Sequence, residues 1–202
     1  MQHDFILLDR SGSMQSLWIE ALSSVNAYVA KLAEDKVDTG VTLATFDGHN
    51  GKLAFEIVRD RIIPSTWAKV TDADAQPRGM TPLNDAVGRI VAIADAGNYD
   101  KLAIIIMTDG HENASQELSV KDAKALLDKC RAKNWQVIFL GANFDNATQA
   151  TSYGNAVAAT ADLSVKNLSA TMRATAESRA AYAVTGAAMR FTTEQKERLR
   201  AS

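Results

Sequence analysis

Residues 101–110 read KLAIIIMTDG, an apolar run that is unbroken from Leu102 and stops on Thr108-Asp109-Gly110. The run has strand length, and its lack of alternation is what a strand covered on both faces shows. Working outward, DFILLD (Asp4–Asp9) reads as a second buried strand and WQVIFLGAN (Trp135–Asn143) as a third. Amphipathic stretches separate them. Ser16–Ala33 puts Leu17, Ala21, Val25, Tyr28 and Leu32 on one helical face, a second helix starts near Pro82, and a third spans Val120–Lys133. TGVTLATFDG (Thr39–Gly48) and GKLAFEIV (Gly51–Val58) flank a tight Asp-Gly-His-Asn-Gly turn, which predicts an antiparallel hairpin. Later, NATQATSYG predicts a short helix ending at Gly154, AVAAT a weak last strand, and Ser164–Val184 an Ala-rich helix. Strands alternating with helices make an α/β fold, with a mainly parallel sheet covered on both faces and an antiparallel hairpin strand at one edge.

The bulk numbers suit one domain: 202 residues, 47% of them hydrophobic, are enough for one sizeable core and hardly for two. We place that domain at residues 1–185. Residues 186–202 form a charged tail, in which Thr192 and Gln195 have the spacing of a capping box for a short terminal helix. A net charge of -2 carries no footprint for nucleic acid or an anionic membrane. No apolar run approaches the roughly 20 residues of a membrane span. FILL has no basic segment before it and is shorter than a signal core, so the expected location is cytoplasmic. The one cysteine, Cys130, excludes an intramolecular disulfide. It falls in a helical apolar pattern with Val120, Ala123 and Leu127, which predicts core packing.

In an open α/β sheet, ligands bind beyond the carboxyl ends of the strands, near the switch in strand order. Three polar clusters fall at that edge: Asp9, Ser11 and Ser13 after the first strand, Thr81 in the Gly79-Met80-Thr81-Pro82 turn, and Asp109 after Thr108. Hard divalent cations prefer oxygen ligands of this kind. Two carboxylates only neutralise a dication, so neutral hydroxyls from Ser11, Ser13 and Thr81 would leave it electrophilic toward an external carboxylate. Each residue also has a plainer role. Ser13 and Thr81 stand where helix N-caps stand, with Pro82 at a first helical position. Asp109 before Gly110 is ordinary turn chemistry, and Asp9 could cap a loop.

Asp9-x-Ser11-x-Ser13, Thr81 in a Gly-x-Thr-Pro turn and Asp109 in a Thr-Asp-Gly turn match, in order and spacing, the metal-ion-dependent adhesion site of von Willebrand factor A-like domains. The resemblance runs from about His3 to Leu163, and FLGANFDNATQA is similar to small, stand-alone bacterial and phage members. It implies a doubly wound, Rossmann-like sheet of six strands, one of them antiparallel. It also implies Mg²⁺ or Mn²⁺ (with Ca²⁺ as a further candidate) at the top edge, and a partner protein that donates an acidic residue to the metal. By that analogy the hydroxyls are direct or conditional ligands and at least one aspartate acts through water. Met80 stands where the family often has a smaller residue. With Met14, His111 and Glu112 it is expected to shape a partner-binding rim.

Other chemistries fit less well. A metal-assisted phosphohydrolase could use a strand-end aspartate as nucleophile, but the acid needed two residues on is replaced by Ser11. No Gly-x-Ser-x-Gly elbow, phosphate-binding glycine loop or His-Glu-x-x-His pair is present. A metal-independent scaffold is the remaining alternative. The last helix carries a thin apolar stripe, Val165, Leu168 and Met172, that reads as packing on the sheet ahead of a dimer seam; Trp18 and Trp67 stand evenly between core and interface anchor, and Trp135 reads as core.

Overall fold

The two strongest apolar runs lie side by side as parallel strands, β1 (Gln2–Asp9) and β4 (Lys101–Thr108), at the centre of a six-stranded sheet. The computed structural model describes residues 1–109, 111–142, 152–154, 160–163, 167–190, 192 and 195. The other strands are β2 (Gly40–His49), β3 (Lys52–Ile62), β5 (Gln136–Ala142) and β6 (Thr160–Leu163). The helices are α1 (Trp18–Glu34), α2 (Leu83–Asp95), α3 (Val120–Ala132) and α4 (Leu168–Thr185), with 3-10 turns at Gly12–Ser16 and Pro64–Thr66. Strand order is β3-β2-β1-β4-β5-β6, and only β2–β3 is antiparallel. The chain winds outward from β1 to β3 and then returns to β4 on the other side. The switch point therefore lies between β1 and β4, where Leu8 pairs with Met107.

Alternation along each strand divides the core into two layers. Ile6, Leu8, Leu43, Ile105 and Met107 face α1 and α4. Phe5, Leu7, Phe46, Ile104 and Ile106 face α2 and α3, where Cys130 is buried as expected. α3 opens on a capping box in which Ser119 and Asp122 exchange bonds.

Burial decides the two open questions of α4 and the tryptophans: the helix packs on the sheet, and Trp18 and Trp67 belong to the core side. α4 has no clean apolar stripe because it buries Arg179 among Leu168, Met172 and Tyr182, and this arginine reaches across to Asp4 on β1. Trp18 is buried and donates to the Ala75 carbonyl, and Trp67 donates to Asn26, so both hold the segment after β3 against α1. Neither is an exposed anchor. Beyond α4 the chain turns back along it. Met189 and Gln195 are buried, Gln195 donates to Glu177, and the Thr192–Gln195 capping bonds are made in both directions. Val165, most of AVAAT and the segment before Ser152 lie outside the described residues. Among the described residues no helix is long and apolar enough to cross a membrane.

Candidate metal centre

β1 ends in Asp9 and the neighbouring β4 ends in Thr108, so strand register alone brings the Asp9 and Asp109 segments together. Asp9 is fully buried. One carboxylate oxygen accepts the Ser11 amide at 2.7 Å, and the other accepts the Thr108 hydroxyl at 2.6 Å. The Ser13 hydroxyl donates to Asp109 Oδ1 at 2.7 Å and lies 3.1 Å from the Ser11 hydroxyl. Because the single Ser13 proton is directed at Asp109, Ser13 does not donate to Ser11, whose own proton has Ser13 and Asp9 within reach. Both Ser11 lone pairs then remain available, and Ser13 keeps at least one.

Thr81 reaches the same edge through backbone contacts. Gly12 donates to the Gly79 carbonyl at 3.1 Å, and Gly48 and Met80 exchange two bonds. Gly79 has φ +70°, and a Cβ there would lie 2.1 Å from the Gly48 carbonyl oxygen, so only glycine allows this approach. Thr81 is buried, and its hydroxyl makes no hydrogen bond with a described residue.

These positions decide against the plainer roles of the two hydroxyls. Ser13 lies inside the 3-10 turn, and the N-cap position of α1 is Leu17, with no side-chain cap. Thr81 does not cap α2 either: Pro82 holds the N-cap position without a side-chain bond. The free amides of that helix go instead to the loop after β4, Asn84 to Glu112 at 2.8 Å and Asp85 to the Ser115 hydroxyl at 3.2 Å.

The electrostatics are uneven. Arg10 is buried, but its guanidinium turns to Asp47 and Glu56, and Arg78 also donates to Asp47. Among the described residues no cation pairs with Asp9. Burial pushes the Asp9 carboxyl up to about 6, with Asp109 adding to the rise and the bonds from Thr108 and Ser11 opposing it. Burial also raises Asp109, against the bond from Ser13.

Of the expected rim, Met80 is 53% exposed and His111 is exposed. Met14 is corrected: the 3-10 turn folds it inward to 3% exposure, packed in the core with Leu17 and Trp18. Glu112 is also corrected. Its carboxylate faces the protein and accepts from the amides of Asn84, Ala114 and Ser115 and from the Ser115 hydroxyl. Thr108, Asn113 and Ser115 are neighbours of the site that the motif did not identify. Thr108 stands in the quoted Thr-Asp-Gly, whereas nothing in the spacing marks the other two.

The donor set is oxygen only. Among the described residues no three His, Cys, Asp or Glu side chains gather as a metal cluster. Three hydroxyls with two carboxylates suit a hard cation such as Mg²⁺ or Mn²⁺ and offer nothing to a thiophilic one. Such an ion would also neutralise the buried Asp9.

The sequence profile of the von Willebrand factor type A domain matches residues 5–191. No curated protein matches the chain. Solved structures share the fold at low identity. The pilus adhesin SpaC of Lactobacillus rhamnosus GG gives a TM-score of 0.69 at 12% identity, over 89% of this chain and 30% of that one. The PilB minor pilin of Streptococcus sanguinis gives 0.66 at 11%, over 89% and 61%. A von Willebrand factor type A protein of Catenulispora acidiphila gives 0.59 at 15%, over 90% and 42%. The chain thus spans less than two thirds of each of these. From the profile match and the six-stranded topology, the chain belongs to the von Willebrand factor type A domain family.

Proposed function

We propose that this domain is a metal-dependent protein-binding module, in which Asp9, Ser11, Ser13, Thr81 and Asp109 hold Mg²⁺ or Mn²⁺ and a partner protein contributes a carboxylate. The observation that carries the reading is Asp9, a fully buried carboxylate whose donors among the described residues are all neutral, close enough to Asp109 for the two charges to interact. When bound, the ion supplies an electrophilic position for an external oxygen. The chain's own residues set the rest. Ser11 and Ser13 present lone pairs, Thr81 presents an uncommitted hydroxyl, and Met80 and His111 border the opening. The adhesin and pilin neighbours are consistent with an interaction role. One buried thiol, with no second cysteine to pair with it, suits a reducing, cytoplasmic setting.

Binding rather than turnover follows from the position of Ser11, which leaves Asp9 without the acid that a phosphoryl-accepting aspartate uses. Calorimetric titration of wild type and Asp9→Ala with Mg²⁺ and Mn²⁺ tests the metal. Binding is expected by wild type only, and equal binding by both overturns the assignment. A phosphatase-substrate screen with Mg²⁺ should stay blank. Turnover that disappears in Asp9→Asn would establish the hydrolase instead.

A further inference from the structure

The loop after β4 does more than carry Asp109. The Asn113 side-chain oxygen accepts the Thr81 amide at 2.9 Å, and the Asn113 amide donates to the Thr81 carbonyl at 3.1 Å. The backbone of Thr81 is therefore held on both sides by one residue. The loop is itself fixed at its base. Glu112 takes four bonds from Asn84, Ala114 and Ser115, and Asp85 takes the amides of Gln116, Glu117 and Leu118. Glu112 and Asp85 are thus committed to the loop and the start of α2, whereas Asn113 is exposed and its side chain bonds only to Thr81 among the described residues.

We propose that Asn113 is a positioning residue for the metal centre, holding the Thr81 backbone so that its hydroxyl is kept for the site rather than falling back to cap α2. The proposal rests on the metal reading above. The physical reason is the competition at the helix start. A threonine just before Pro82 is suited to capping, and here the amides it would cap are occupied by Glu112 and Ser115 while Asn113 fixes its own amide. Among the described residues the Thr81 hydroxyl is consequently left without a hydrogen-bond partner, as suits a ligand oxygen. Asn113 touches no ion in this arrangement and acts wholly through Thr81, as outer partners of metal ligands do.

The test is a double-mutant cycle in the full chain, read as Mn²⁺ affinity from the loss of the free-ion EPR signal. Asn113→Ala is introduced into wild type, Thr81→Ser and Thr81→Val. Asn113→Ala should weaken Mn²⁺ binding about tenfold in wild type and in Thr81→Ser, and have no further effect in Thr81→Val. In chelator, amide exchange at Thr81 should quicken while the thermal midpoint changes little, since Asn113 is exposed. Asn113→Ser, too short to reach the Thr81 amide, should reproduce the loss, and serves if the alanine variant folds poorly. Unchanged affinity in Asn113→Ala overturns the positioning role alone. An equal penalty in Thr81→Val also overturns it, because Asn113 would then act elsewhere. Absence of Mn²⁺ binding by wild type overturns the metal reading and the positioning role with it.

Discussion

β1 carries two fully buried aspartates, one near each end, and they are treated in opposite ways. Asp4 receives the Arg179 guanidinium at 2.5 Å and the Tyr28 hydroxyl at 2.9 Å, with Thr39 more distant at 3.4 Å. Asp9 receives an amide and a hydroxyl. Burial raises both carboxyls. At Asp4 a cation and neutral donors pull the value back, whereas at Asp9 neutral donors act alone and Asp109 adds to the rise. A buried charge without a partner is costly, and folded proteins retain one mainly where something else will bind there. The lower end of the strand is thus complete as a protein, and on the proposed reading the upper end is completed by a cation from outside.

The largest effect is expected at Arg179. Its removal in Arg179→Ala strands Asp4, and such loss typically costs about 3–5 kcal/mol. Urea titration should show that loss, and saturating Mg²⁺ should restore none of it beyond the shift seen in wild type. Rescue specific to the variant would mean that the lower end also accepts a cation.

Asp9→Asn should have the opposite sign. The side-chain carbonyl keeps the Ser11 amide and the new amide group can donate to Thr108, while the raised carboxyl is removed. A rise from 3.8 to about 6 corresponds to about 3 kcal/mol at pH 7, an upper figure for the gain in chelator. The same variant should lose the Mg²⁺-dependent rise in thermal midpoint. A destabilised Asp9→Asn in chelator would place the Asp9 carboxylate among the stabilising groups and remove the contrast with Asp4.

The two ends also differ in how far they could be read from sequence. The gathering of residues at the upper end was legible because they sit at strand ends, where register and the switch point do the assembling; Ser13 bonds to Asp109, and Asp9 lies close enough to Asp109 for their charges to interact. The lower network was not, because Asp4 and Arg179 are 175 residues apart and Arg179 lies on a helix whose apolar residues form no stripe. Met14 and Glu112 were misplaced for a shared reason. Their orientation is set by a 3-10 turn and by an irregular loop, neither of which has a side-chain period to read. Trp18 and Trp67 depended likewise on where the loop after β3 folds back.

The pH dependence sharpens the contrast with a smaller effect. The folded chain binds a proton at Asp9 more tightly than the unfolded chain does, so between about pH 3.8 and 6 this group favours folding more as pH falls. His3 runs the other way. Buried beside Phe5 and Tyr99, it is lowered to about 4, so its neutral form favours folding above the ordinary value of 6.5 and that advantage is lost as pH falls from 6.5 toward 4. Comparing wild type with Asp9→Asn in chelator cancels His3. The advantage of Asp9→Asn should shrink by about 1 kcal/mol between pH 7 and pH 5. A constant difference would show that Asp9 does not titrate in that window.

The smallest effects come from removing one hydroxyl at each end. Thr39→Val takes a weak donor from Asp4 and an acceptor from Arg179, both in buried surroundings, and should cost about 1 kcal/mol. Ser13 is exposed, so Ser13→Ala should change metal-free stability by only a few tenths of a kcal/mol. The order reverses when Mn²⁺ affinity is measured. Thr39→Val should match wild type, and Ser13→Ala should be weaker because a lone pair is gone and Asp109 loses the bond that orients it. If both variants bind Mn²⁺ as wild type does, Ser13 is no more than a turn residue and the ligand set contracts to the remaining four. If Thr39→Val also weakens Mn²⁺ binding, the two ends of β1 are coupled through the strand rather than independent.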